Sequence, residues 1–237
     1  MKVSDIVKAK VDRLQKGFVF TYSDLRMEVV KREAVIKALN RMVGAGTLRK
    51  ISKGRYYKPE MSPFGELLPD LKQVVKDILD ENGYLTGLSI FNDLGLTTQV
   101  GNTIQIGKND WRPSLKRDRY TIKFIRQKNI ITRENIPLLQ ILDSIRFVRA
   151  IPDTNLSDAS IRFISIIRNL SETDTRSLVR LADKYPASTK AILGLCLEEA
   201  GKREFTHALR ESINPISEYK YPEIGSAFPN AKNWNIV

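Results

Sequence analysis

Histidine and cysteine are all but missing from this 237-residue chain, at one each. The single cysteine, Cys196, excludes an internal disulfide framework and fits a reducing cytoplasm. It lies in the apolar stretch Ala191 to Leu197 and reads as a buried, inert thiol. The single histidine, His207, has no second histidine and no cysteine near it, so no zinc ligand set can form around it. It reads as a surface or capping residue near the end of a helix. A Ser-His-Asp or Cys-His site would have to use His207, and no nucleophile-elbow sequence accompanies it. Glycine-rich phosphate loops of the GxxxxGK or GxGxxG kind are absent as well. The carboxylate pairs Asp80-Glu81 and Glu198-Glu199 read as helix-surface neighbours. No enzymatic activity, metal or cofactor is expected. No apolar run approaches the roughly 18 residues of a membrane span. Lys2, Asp5, Lys8 and Lys10 break up the start of the chain, which excludes a signal-peptide core there. A cytoplasmic chain with no membrane partner is the expectation.

Acidic residues are scarce in one region. Met1 to Lys58 holds 15 Lys and Arg against 5 Asp and Glu, so 10 of the 12 net positive charges sit in about a quarter of the chain. Charge concentrated in one small module is an electrostatic footprint for a polyanion. The pattern inside it narrows the polyanion to duplex DNA. Val3, Ile6, Val7, Val11 and Leu14 keep the spacing of one helix face. Phe18 to Phe20 is a short strand candidate. Ser23 is placed to cap a brief helix, with Asp24 in its first turn. A second helix is predicted from about Arg32 to Val43, with Val35, Ile36, Leu39, Met42 and Val43 inward and Lys31, Arg32, Lys37, Asn40 and Arg41 outward. Residues 48–51 and 55–57 flank Ser52-Lys53-Gly54 as a hairpin with a glycine turn. Helix, short helix, basic helix and basic hairpin follow in the order of a winged helix-turn-helix. Such a helix enters the major groove, where Arg and Lys suit guanine and Asn suits adenine, while the hairpin lies along the backbone. The expected DNA contacts are Ser23, Lys31, Arg32, Lys37, Asn40, Arg41, Arg49, Lys50, Lys53 and Arg55. The competing reading is a solvated face. Against it, only Glu33 offsets the helix cations, and Arg49, Lys50, Lys53 and Arg55 have no acid among them.

Charge reverses after the hairpin, with 2 basic and 7 acidic residues from Glu60 to Ile104. Residues 59–70 carry Pro59, Pro63, Pro69 and Gly65 and read as a linker, packed through Met61, Phe64, Leu67 and Leu68. Helices are predicted at 71–79 and 88–94, and strands at 103–106 and 120–125. Between the strands, Lys108, Arg112, Lys116, Arg117 and Arg119 surround Trp111. This segment reads either as a second nucleic-acid contact or as an exposed hairpin loop. From Ile136 onward helices dominate, with Ser171 to Asp174 resembling a capping box. From Ala150 to Val237 the 11 basic and 11 acidic residues balance. The last stretch, with Tyr219, Tyr221, Phe228 and Trp234, reads as an ordered strap or a partner-binding tail. The fold class expected is α+β. A winged helix (1–58), a linker (59–70), a mixed α/β domain (71–150) and a helical region with an aromatic tail (151–237) follow in order.

Val35 to Val43, then Gly46-Thr47-Leu48, then Ser52 to Pro59 resemble the winged helix of AbiE-type abortive-infection antitoxins. Gly83-Tyr84, Gly87 to Ser89, Leu94 to Val100, Leu138 to Asp143 and Asn233 to Ile236 resemble a Bacteroidetes branch of that family. The resemblance implies a bacterial antitoxin of type IV that represses its own promoter; because one winged helix makes a small interface, a homodimer on repeated half-sites is the expectation. It also implies a nucleotidyltransferase-like toxin as functional partner, countered without a stable complex. The alternative is a winged-helix regulator whose C-terminal region binds an effector or a protein partner and has no antitoxin role.

Overall fold

The computed structural model describes residues 2–237, a mixed α+β chain of helices and small sheets. Its backbone contacts group into two units. The first joins residues up to Glu81 with residues 115–121, and the second joins 82–114 with 122–237.

In the first unit, α1 (Val3–Asp12) and α2 (Arg32–Gly44) pack together through Val7, Val11, Val35 and Leu39, all fully buried. Each such side chain contributes about 1.5–3 kcal/mol by leaving water. Against them lies an antiparallel sheet of β1 (Val19–Thr21), β2 (Arg49–Ser52) and β3 (Arg55–Tyr57), in the order β1-β3-β2. Phe20 pairs with Tyr56 in register, and their rings meet at 6.1 Å in the core. Alternation along β3 sends Tyr56 to one face and Tyr57 to the other. Residues 59–70 are not a bare linker. They form a hairpin of β4 (Glu60–Ser62) and β5 (Gly65–Leu67), and prolines flank or turn such short strands without costing ladder bonds. Its apolar residues do not pack as expected: Met61, Phe64, Leu67 and Leu68 are exposed, Phe64 completely. The helix expected at 71–79 is two short pieces, α3 (Leu71–Val74) and α4 (Lys76–Asp80), broken at Val75.

In the second unit, β6 (Tyr84–Thr86) pairs antiparallel with β7 (Thr103–Lys108), and α5 (Leu88–Asp93) lies between them in sequence. β8 (Leu115–Arg117) lies in the first unit, where β9 (Tyr120–Arg126) also begins. Five helices follow that carry the core: α6 (Ile136–Arg146), α7 (Leu156–Arg168), α8 (Glu172–Ala182), α9 (Ala187–Glu199) and α10 (His207–Glu211). Residues 71–150 and 151–237 are therefore not separate domains, because α6 shares one apolar core with α7, α8 and α9. Ser171 accepts the Asp174 N–H at the start of α8, as its sequence implied. His207 is exposed beside Glu211, and Cys196 is fully buried, where burial pushes its thiol up.

α9 is buried from Thr189 to Leu197, and from Ala191 to Leu197 it is apolar all round, as a central helix must be. Gly194 gives it one flat face. A Cβ there would stand 2.1 Å from the Trp234 ring, so the absence of a side chain is what admits the indole. The indole N–H donates to Glu198 at 2.9 Å, and Asn230 donates to Glu199 at 2.9 Å. These two carboxylates thus anchor the tail instead of lying idle on a helix surface. With α11 (Pro222–Ala227) and the Tyr219–Ile236 bridge, the tail is an ordered strap.

One buried carboxylate sits at the base of α6. Asp143 is fully buried and accepts from the hydroxyls of Tyr84 at 2.7 Å, Thr86 at 3.0 Å and Tyr185 at 2.8 Å. Gln127 donates to both tyrosine oxygens at 2.8 Å, which aims their protons at the carboxylate. Burial pushes the Asp143 carboxyl up, against the pull of those hydroxyls. A raised carboxyl favours the protonated form in the folded chain. Its contribution is then complete below the ordinary carboxyl value of about 3.9 and is lost as pH rises through the folded value. Asp143→Asn cannot ionise. Its stability relative to the native chain should rise as pH is raised from about 4 in denaturant unfolding. A constant difference as pH is raised would mean that Asp143 does not titrate there.

Candidate nucleic-acid interface

The outward face of α2 is set by how the helix begins and ends. At its end Gly46 takes φ +77°, its N–H reaches Val43 O, and Thr47 N–H reaches Met42 O. This pair of bonds is a Schellman stop, which a left-handed glycine permits. The chain turns directly into β2, bringing the hairpin beside the helix. At the other end, the turn over Ser23–Leu25 is present but Ser23 does not cap it. Asp24 holds the turn instead, accepting from Thr21 N–H at 2.7 Å and from the Thr21 hydroxyl at 2.9 Å. Ser23 is left exposed.

Lys37, Asn40 and Arg41 share one open surface. All three are exposed, and none has an acidic side chain within ion-pair distance among the described residues. Asn40 is oriented by the Tyr56 hydroxyl, which donates to its side-chain oxygen at 3.1 Å. That leaves a second lone pair on the oxygen and the amide as a donor. Arg32 lies over the Tyr22 ring at 4.6 Å, and Lys31 pairs with Glu28 at 2.7 Å. Between helix and hairpin a concavity of about 480 Å3 is lined by Tyr22, Arg32, Asn40, Lys50 and Lys53, with Gly54 at the hairpin turn.

Besides Lys31, two of the expected contacts are engaged by acids. Arg49 bonds Glu66 on β5, with its Nε and Nη2 each 2.9 Å from Oε2. Tyr57 donates to the same carboxylate at 2.8 Å, and burial together with Glu66 raises its hydroxyl well above the ordinary tyrosine value. Arg55 meets Asp77 on α4 at 2.5 Å. Arg117 grips Asp77 with both terminal nitrogens, at 2.6 and 2.7 Å, and donates to Val74 O at 2.7 Å. The expected second contact at 108–119 is divided in the same way. Lys108 is 2% exposed and Arg117 is 6% exposed, so neither faces solvent. Arg112, Lys116 and Arg119 are exposed, as is Trp111. Glu66 and Asp77 join this site from outside the segment that carries its cations. Their signal was the acidic run after the hairpin, which complements the hairpin's own cations.

The family DUF6088, described as a family of unknown function, matches residues 6–178. The chain belongs to DUF6088. No curated protein matches it. Among solved structures, the RV2827C protein from Mycobacterium tuberculosis is similar in fold, with a TM-score of 0.58 at 15% identity. The match covers 92% of this DUF6088 chain and 84% of that one. Identity at that level speaks for the fold alone. Among the described residues no helix is long and apolar enough to cross a membrane, and no group of His, Cys, Asp and Glu is placed to hold a metal.

The Asp77 cluster generates a test. Burial alone would raise its carboxyl, but the Arg117 hydrogen bond and the charges of Arg117 and Arg55 outweigh it and hold the group below the ordinary range. A depressed carboxyl contributes stability above its unfolded value and loses it as pH falls through the folded value. Asp77→Ala should destabilise the first unit by about 2 kcal/mol at neutral pH, the scale of charged hydrogen bonds left unmade. Unfolding followed from neutral toward acid should show the difference between variant and native chain shrinking below about pH 4. A variant as stable as the native chain at neutral pH would remove Asp77 from the unit's framework.

Proposed function

We propose that the first unit is a winged-helix module that binds duplex DNA, with α2 in the major groove and the β2–β3 hairpin on the backbone. The observation that carries this reading is the shared, acid-free surface of Lys37, Asn40 and Arg41 on one helix. Lys and Arg suit guanine O6 and N7, and an Asn held by one hydrogen bond suits adenine. Lys50 and Lys53 flank that surface as phosphate contacts. Arg49 and Arg55 belong to the framework that orients the hairpin. Ser23, Lys31 and Arg32 remain on the phosphate side of the reading.

The chain's own promoter is the proposed operator, bound as a homodimer on repeated half-sites, because one winged helix makes a small interface. The antitoxin role rests on the AbiE resemblance of residues 35–59 and 83–100. By that resemblance the functional partner is a nucleotidyltransferase-like toxin encoded beside this chain, countered without a stable complex. Neutralisation then belongs to the second unit and repression to the first.

Footprinting on the promoter tests the DNA reading. Lys37→Ala or Arg41→Ala should cost about 1–3 kcal/mol of discrimination between operator and random DNA. Lys53→Ala should weaken both DNAs alike. With about five phosphate contacts per protomer, log K against log salt should fall with a slope of about −4.5. Equal losses on both DNAs for all three variants would remove base readout from α2, and binding indifferent to salt would remove the module from DNA. Co-expression with the adjacent toxin gene tests the antitoxin role. A full-length Lys37→Ala/Arg41→Ala chain should lose repression and still rescue growth, and failure of the native chain to rescue leaves only the regulator.

A further inference from the structure

A second cationic surface lies in the second unit, and its shape differs from the first. Arg126 ends β9 and Lys128 follows it. Arg146 ends α6, and Lys184 follows α8. The four converge on one cleft of about 460 Å3, with Asp183 the one acid lining it. None of the four cations has an acidic side chain within ion-pair distance among the described residues. Arg146 lies over the Phe147 ring at 4.9 Å, and Lys184 donates to the Lys128 carbonyl at 3.3 Å. These contacts order the side chains and leave Asp183 as the acid that lines the cleft against them.

Helix termini account for part of this charge and not for the rest. Arg146 and Lys184 stand at the carbonyl ends of α6 and α8, each worth roughly half a negative charge. Arg126 and Lys128 stand where a strand leaves its sheet and have no dipole to balance. About two positive charges are left in excess after the dipoles and Asp183 are counted. The floor is rigid. Tyr185 and Gln127 line the cleft and are bonded beneath it to each other, to Tyr84 and to Asp143. Excess charge converging on a concave, pre-formed site of this volume is the setting of a small-molecule pocket. A stripe along a ridge would be the setting of duplex DNA.

We infer that this cleft binds a small phosphorylated ligand of nucleotide size, its phosphates held by Arg126, Lys128, Arg146 and Lys184. The site is independent of the DNA reading: it lies in the other unit and uses none of the α2 cations. A ligand there supplies the second unit with an effector of defined chemistry.

Calorimetric titration of the full chain tests it, with inorganic phosphate, pyrophosphate and ATP as probes. Pyrophosphate and ATP should bind saturably and more tightly than phosphate, since they offer more charge to the same four cations. Lys128→Gln and Lys184→Gln, both exposed, should each lower ATP affinity several-fold, and Arg146→Glu should lower it at least tenfold. Arg180→Gln, an exposed cation of α8 that does not line the cleft, should leave it unchanged. The Lys37→Ala/Arg41→Ala chain should bind ATP as the native chain does, which separates failure of this site from failure of the DNA reading. The inference is overturned if neither pyrophosphate nor ATP saturates the chain. It is also overturned if Arg180→Gln costs as much as Lys184→Gln, or if a short single-stranded DNA displaces ATP while its binding rests on the same cations. That last result would make the surface a nucleic-acid track.

Discussion

The first unit gathers 20 Lys and Arg against 12 Asp and Glu, and it holds together because its arginines are not left to face each other. Two unit charges at 4 Å repel by about 1 kcal/mol in water and by about 4 kcal/mol at the effective dielectric of a protein surface. Asp77 takes up Arg55 and Arg117 together, and Glu66 takes up Arg49. The bidentate grip of Arg117 on Asp77 fixes geometry as well as charge. The base of the hairpin is thereby close to neutral. Positive charge remains where no acid follows it: on the open face of α2 and at the hairpin turn. The candidate interface is therefore a residue of pairing elsewhere, and its sharpness depends on Asp77 and Glu66 as much as on the cations it contains.

Much of this was legible in the chain. The apolar spacing from Val35 to Val43 foretold α2 within one residue of its observed span, because a helix buried on one face writes its period into the sequence. The Ser171 cap and the buried Cys196 were legible for the same reason: each depends on neighbours a few residues away or on burial alone. What escaped depends on partners far along the chain. Arg55 and Asp77 are 22 residues apart and Arg117 and Asp77 are 40 apart, and no periodicity relates them. The apolar spacing ends the strand at Ile106 and predicts a loop at Lys108. β7 runs two residues further and carries Lys108 into the buried side of the unit. The prolines of residues 59–70 pointed to a linker, while a three-residue antiparallel pair needs very little sequence to form. The domain boundaries failed because residues 115–121 pack in the first unit although both their neighbours in sequence pack in the second.

The two cationic surfaces differ in what lies beneath them, and that difference separates their roles. Under α2 lies an apolar core tied to the helix face by the Tyr56–Asn40 bond, and among its described residues no carboxylate lies behind that face. Under the cleft lies Asp143, three residues from Arg146 on α6, and the Arg146 charge is among the influences that lower the Asp143 carboxyl. An anion that occupies the cleft neutralises part of that charge. The balance at Asp143 then shifts further toward burial, and the carboxyl rises. Linkage requires the reverse with equal magnitude: protonating Asp143 removes a nearby negative charge and strengthens anion binding. Tyr185 makes the connection short, since it lines the cleft and donates to Asp143 at 2.8 Å. Charge placed on the surface of the second unit is thus felt inside its core. In the first unit the charge of α2 reaches no buried acid among the described residues, so the proposed DNA contact there would be a matter of surface complementarity.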